Sequence, residues 1–84
     1  MTYFVYFIIS KVKKKTISYV GYTNNLERRL KLHNTNKGAK FTKGKKWKLI
    51  YSQNYKSKIK AMQEEYILKI NYKLRNKLKL NFYK

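Results

Sequence analysis

The chain has 84 residues, with twenty-two Lys and Arg against three acids, giving a formal net charge of +19 at pH 7. There is no cysteine, which excludes disulfides and thiolate metal sites. An apolar content of 43%, with 17% aromatic, sets the chain apart from a disordered basic tail and supports one small-cored domain over residues 1–84.

The longest apolar run, Phe4 to Ile9, is too short to span a bilayer, which takes about 20 residues. No basic leader precedes it and no small-residue cleavage site follows, so the expected compartment is the cytoplasm. So large a positive charge calls for a polyanion: DNA, RNA or an anionic membrane surface. Membrane-surface binding goes with a basic amphipathic helix rich in bulky apolar residues. Here the apolar residues fall mainly into strand-like segments, which favours nucleic acid and speaks against a membrane partner. A composition dominated by Lys, Asn, Ile and Tyr also follows from AT-rich coding, so charge alone does not identify a function.

Residues 3–10 are aromatic and β-branched and read as a strand. Residues 11–15 read as a hairpin connection and 16–22 as a second strand, antiparallel because so short a link cannot make a crossover. Asn24, three positions before Glu27, has the spacing of a capping box, and Leu26 and Leu30 give the apolar stripe of a helix ending near His33. Residues 34–46, with Gly38, Gly44 and several lysines, read as a loop. Residues 47–55 read as a third strand. Ser57 is a candidate N-cap for a second helix over 58–70, with Ile59, Met62, Tyr66 and Ile70 on one face. A last helical piece near 73–80 carries Leu74 and Leu78. The order strand, strand, helix, strand, helix, helix predicts an α+β fold: a small three-stranded antiparallel sheet flanked by helices.

Few residues can carry chemistry. On the first helix Arg29 and His33 are four apart and share one side, at the edge of the packed stripe, while Arg28 points to solvent. They read either as a phosphate-contacting pair or as a solvated basic helix side. Tyr6 and Tyr19 sit mid-strand on neighbouring strands, where packing and substrate contact are both open to a phenol. Gly21 inside a strand marks close approach by another group. Glu64 and Glu65 diverge by about 100° on the second helix, so they do not easily share an ion. At four-residue spacing Glu64 pairs with Lys60 and Glu65 with Lys69, as surface ion pairs worth a few tenths of a kcal/mol each. Alternatively, one of them is a lone carboxylate ligand for a divalent cation completed by water and phosphate.

These residues fall into a pattern that resembles the GIY-YIG nuclease domain, most of all its small stand-alone bacterial members and its structure-specific nucleases. The signature triplets read Phe4-Val5-Tyr6 and Tyr19-Val20-Gly21. The strongest match is Tyr22-Thr23-Asn24-Asn25-Leu26-Glu27-Arg28-Arg29-Leu30-Lys31-Leu32-His33-Asn34, followed by Lys37-Gly38-Ala39-Lys40-Phe41-Thr42. Ala61, Glu65 and Lys69 match the acidic helix. The first triplet departs from the family by lacking Gly-Ile.

The resemblance implies a metal-dependent endonuclease acting on phosphodiesters in DNA, with RNA as a second candidate, and implies Mg²⁺ or Mn²⁺ as cofactor. Tyr6, Tyr19, Arg29, His33 and Glu65 match the family's catalytic positions, with Glu65 as the metal ligand. Arg29 would neutralise charge on the transition-state phosphate, Tyr6 would orient or deprotonate water, and Tyr19 and His33 would bind phosphate or relay a proton. Lys40, Lys43, Lys45 and Lys69 are candidate backbone contacts. A family asparagine near the C-terminus has two candidates here, Asn76 and Asn81. Two other readings stay open: a non-catalytic nucleic-acid-binding module, and a nuclease module that a protein partner must target.

Overall fold

A computed structural model describes residues 1–83. Three strands, β1 (Tyr3–Val12), β2 (Lys15–Thr23) and β3 (Lys48–Tyr55), form one antiparallel sheet in the order β2-β1-β3. Three helices, α1 (Leu26–Asn34), α2 (Lys58–Ile70) and α3 (Tyr72–Tyr83), complete the α+β fold in the predicted order. The hairpin is tighter than predicted: Val12 pairs with Lys15 across a two-residue turn in which Lys13 adopts φ 58°.

The central strand is buried on both faces, and its alternation divides the core in two. Val5, Phe7 and Ile9 join Val20, Ala61 and Leu68 on the face covered by α2. Tyr6 and Ile8 join Trp47 on the other face, where Ile17, Tyr19, Leu26, Leu30 and Leu49 pack around them. Phe7 pairs with Tyr51 and Ile8 with Leu49, so β3 carries one extra residue, Ile50, at a bulge. The bulge lets Ile50 and Tyr51 both serve the first cluster while Leu49 serves the second.

Two local expectations are corrected. The cap of α1 is Asn25, not Asn24: its side-chain oxygen accepts from the Arg28 N–H at 3.1 Å, and its own N–H donates to Thr23 Oγ1. Glu27 therefore falls one position short of the capping-box site, though its charge still suits the first turn. The predicted apolar face of α2 is also inverted. Ile59, Met62, Tyr66 and Ile70 are exposed, and the buried residues are Ala61 and Leu68. A small residue on the core side lets the helix axis approach the sheet closely. Ser57 caps α2 as expected, accepting from the Lys60 N–H. The loop between α1 and β3 is not irregular throughout: a 3₁₀ turn spans Lys40–Thr42 and buries Thr42.

Candidate active site

Strand register and one helix bring the candidate residues together. Tyr6 lies at the middle of β1 directly opposite Gly21 of β2, and Tyr19 sits opposite Ile8 on the same face. A Cβ on Gly21 would strike the Tyr6 ring and hydroxyl, so glycine is what allows the phenol to lie across the neighbouring strand. Helix α1 lays Arg29 and His33 over these two tyrosines. Ring centroids are 5.7 Å apart for Tyr6 and His33, 5.0 Å for Tyr19 and His33, and 6.4 Å for the two tyrosines.

Tyr6 and His33 are 1% and 0% exposed, and they are joined by a hydrogen bond of 2.8 Å between Tyr6 Oη and His33 Nε2. The other ring nitrogen, Nδ1, is 2.9 Å from Thr42 Oγ1. Both ring nitrogens are therefore engaged inside the protein, and neither is left free as placed. Burial, reinforced by the Arg29 charge, holds His33 below its ordinary pKa, so the ring is neutral at pH 7. Burial also pushes Tyr6 up to about 12, outweighing the opposing help from the Arg29 guanidinium. Arg29 responds in the complementary direction: interaction with the Tyr6 hydroxyl, and more weakly with Tyr19, raises its pKa. Its Nε is buried and has no hydrogen-bond partner among the described residues, a cost that the guanidinium's other contacts must offset.

The two glutamates of α2 separate. Glu65 is near enough to Tyr6 to oppose its ionisation, whereas Glu64 acts on Tyr55. Glu64 pairs with Lys60 at 3.1 Å and Glu65 with Lys69 at 3.3 Å, as the spacing predicts. The Glu65 side chain is 17% exposed, and Lys69 engages its Oε1. Its donor chemistry fits a hard divalent cation completed by water and a substrate oxygen, with Lys69 as the group to be displaced. Among the described residues no group of three or more His, Cys, Asp or Glu converges, so Glu65 would be a lone protein ligand.

Lys40 and Lys43 are exposed on either side of Phe41. Lys45 is turned inward, with Nζ donating to the Phe41 and Lys43 carbonyls and lying 5.3 Å over the Phe41 ring. Phe41 is about half exposed and stacks on Tyr19 at 6.5 Å. Asn76 and Asn81 lie on α3, which packs against α2 and β3.

The loop is held by contacts that sequence reasoning missed. Asn34, the last residue of α1, accepts from the Trp47 N–H and donates to the Trp47 carbonyl. The Trp47 indole N–H donates to the Thr42 carbonyl at 3.0 Å. Gly38 lies against His33, where a Cβ would come within 3.0 Å of the histidine Cα. The available signal was the glycine itself, four residues before a threonine.

This sheet, helix and residue cluster belong to one class. Residues 2–79 match the GIY-YIG catalytic domain, and the chain belongs to that family, whose fold is a nuclease fold. Among similar proteins, a UPF0213 protein of Oceanobacillus iheyensis is 52% identical over 52 residues, 61% of this chain and 60% of that protein. A UPF0213 protein of Staphylococcus haemolyticus is 41% identical over 76 residues, 89% of this chain and 90% of the relative. The solution NMR structure of a UPF0213 protein from Bacillus halodurans superposes with a TM-score of 0.51 at 34% identity, covering 93% of this chain and 82% of that one. Other relatives are longer: the match spans 54% of the Bacillus licheniformis protein and 52% of one from Streptococcus pneumoniae.

Proposed function

We propose that the chain is a metal-dependent endonuclease that hydrolyses phosphodiester bonds in DNA, directed by substrate structure or weakly by sequence. The observation that carries this reading is the meeting of Tyr6, Tyr19, Arg29 and His33 on one sheet face, with Glu65 in electrostatic reach. Nucleases of this family generally use a divalent metal. Mg²⁺ or Mn²⁺ held by Glu65 would act as a Lewis acid toward the departing oxygen.

The chain's own residues supply the rest. Arg29 and Tyr19, the more accessible members, bind the non-bridging phosphate oxygens. Arg29 neutralises the charge that develops on them, an effect worth about 3 kcal/mol in comparable sites. A phenolate at Tyr6 is scarce at neutral pH, because burial keeps the phenol protonated. The attacking water therefore gives its proton to Tyr6 Oη as the Tyr6 hydroxyl proton passes to His33 Nε2. The water oxygen bonds to phosphorus, the bond to the leaving oxygen breaks, and that oxygen takes a proton from solvent. His33 returns its proton through Tyr6 after product leaves. The exposed Lys40 and Lys43 contact backbone phosphates without sequence preference.

The test uses purified protein, Mg²⁺ or Mn²⁺, and branched, nicked and plain duplex DNA. Arg29→Ala and Glu65→Ala should each lose about 100-fold or more in cleavage rate with circular dichroism unchanged. Undiminished cutting by either variant removes the assignment.

A further inference from the structure

We infer that Thr42 is a positioning residue: it holds His33 as the Nδ1–H tautomer, leaving Nε2 as the nitrogen that accepts the Tyr6 proton. The catalytic consequence rests on the proton path proposed above; the tautomer itself does not.

The direction of each hydrogen bond follows from donor counting. Thr42 Oγ1 lies 2.7 Å from the Ala39 carbonyl and 2.9 Å from His33 Nδ1. A carbonyl only accepts, so the single hydroxyl proton of Thr42 goes to Ala39. Thr42 Oγ1 must then receive a proton from His33, which puts N–H on Nδ1. A neutral imidazole has only one N–H, so Nε2 is a bare acceptor, and the 2.8 Å contact is Tyr6 donating to it. One backbone carbonyl thus sets the polarity of a four-member chain that ends at the candidate base.

The anchor is rigid. Thr42 is fully buried. Its own N–H also donates to Ala39 O at 3.0 Å, closing the 3₁₀ turn that aims the side chain. The Trp47 indole fixes its carbonyl from the other side. Without the hydroxyl, the buried Nδ1–H would lose its partner, which favours moving the proton to Nε2. Nε2 would then donate to Tyr6 Oη, the bond would reverse, and His33 would have no free nitrogen facing the phenol.

His33 is the sole histidine, so imidazole ¹⁵N spectra are unambiguous. Long-range ¹H–¹⁵N correlation on the whole chain should show wild-type His33 protonated at Nδ1. Thr42→Ser should keep that pattern, and Thr42→Val, close in volume, should shift the ring to protonation at Nε2. The indole N–H signal of Trp47 monitors the fold. Cleavage by Thr42→Val should fall about 10-fold or more, with Thr42→Ser near wild type. A wild-type ring protonated at Nε2 overturns the proposal even if Thr42→Val does not fold. So does a Thr42→Val ring still protonated at Nδ1, whatever the cleavage assay shows. A switched tautomer with undiminished cleavage supports Thr42 as the clamp and instead overturns the proton path through His33.

Discussion

The two faces of β1 are built by alternate residues of one strand, yet they are held by different physics. Val5, Phe7 and Ile9 pack with Val20, Ala61 and Leu68 into an apolar layer. Tyr6, one residue away, is equally buried but belongs to a polar chain running through His33 and Thr42 to the Ala39 carbonyl. Packing on the first face tolerates small losses in proportion to volume. On the second face Ile8 and Trp47 also pack among apolar neighbours, but the polar chain there is all-or-none, because each member satisfies its neighbour and a single deletion strands a buried donor or acceptor. The difference teaches where stability and chemistry divide in this molecule.

The strongest way to break the comparison is on the apolar face. Phe7 is completely buried. Phe7→Ala should cost about 3–5 kcal/mol in urea denaturation, consistent with a large buried side chain lost to a cavity. A loss under about 1 kcal/mol would mean that this layer is loosely packed and carries little of the fold. The matching change on the polar face is Tyr6→Phe, which keeps the ring and removes the hydroxyl. It leaves His33 Nε2 without a donor and should cost about 1–3 kcal/mol. Its larger effect should be on cleavage, down about 100-fold if Tyr6 handles the proton of the attacking water. Equal damage to stability and no damage to turnover would make the polar chain structural only.

The pH dependence sharpens the same contrast. His33 titrates below its ordinary value in the folded protein, while the unfolded chain takes up its proton near pH 6.5. Below that pH the unfolded state binds more protons, so stability should decline as pH falls from about 6.5 toward the lowered native value. Tyr6 works at the other end: with its native value near 12, stability should fall as pH rises from about 10, where the unfolded phenol ionises. The acid slope belongs to the polar face; the alkaline one is shared with Tyr55, whose phenol burial also raises and which packs against the first cluster. Phe7→Ala should leave the acid slope in place, whereas His33→Gln should abolish it; thermal melts across pH would check this.

Much of this fold was legible because strand alternation and the two leucines of α1 are regular signals. The cap of α1 was misread by one residue because Asn24 and Asn25 are chemically equivalent; only Thr23, bonded to the Asn25 N–H, selects the second. Tyr6, Tyr19, Arg29 and His33 were legible through the family motifs, and their strand and helix positions bring them together. Thr42 was not, because it lies in a loop without periodicity and its partner is nine positions away. The face of α2 was misread for a physical reason: counting bulky residues favoured Ile59, Met62, Tyr66 and Ile70, but the position nearest the sheet takes Ala61.

That inversion yields the smallest predicted effect. Ile59 and Ile70 are 68% and 63% exposed, so Ile59→Ser and Ile70→Ser should each change stability by no more than about 0.5 kcal/mol. Leu68→Ala on the same helix should cost several times that, in the range of about 2–5 kcal/mol. At about 100° per residue, Ala61 and Leu68 centre nearly opposite the isoleucine stripe, and Glu65 lies within about 60° of Leu68. A helix turned to bury the isoleucines would carry Glu65 away from Tyr6. If the two serine variants destabilise the protein as strongly as Leu68→Ala, α2 is rotated about its axis, and the acid is no longer positioned to serve the Tyr6–Arg29 cluster.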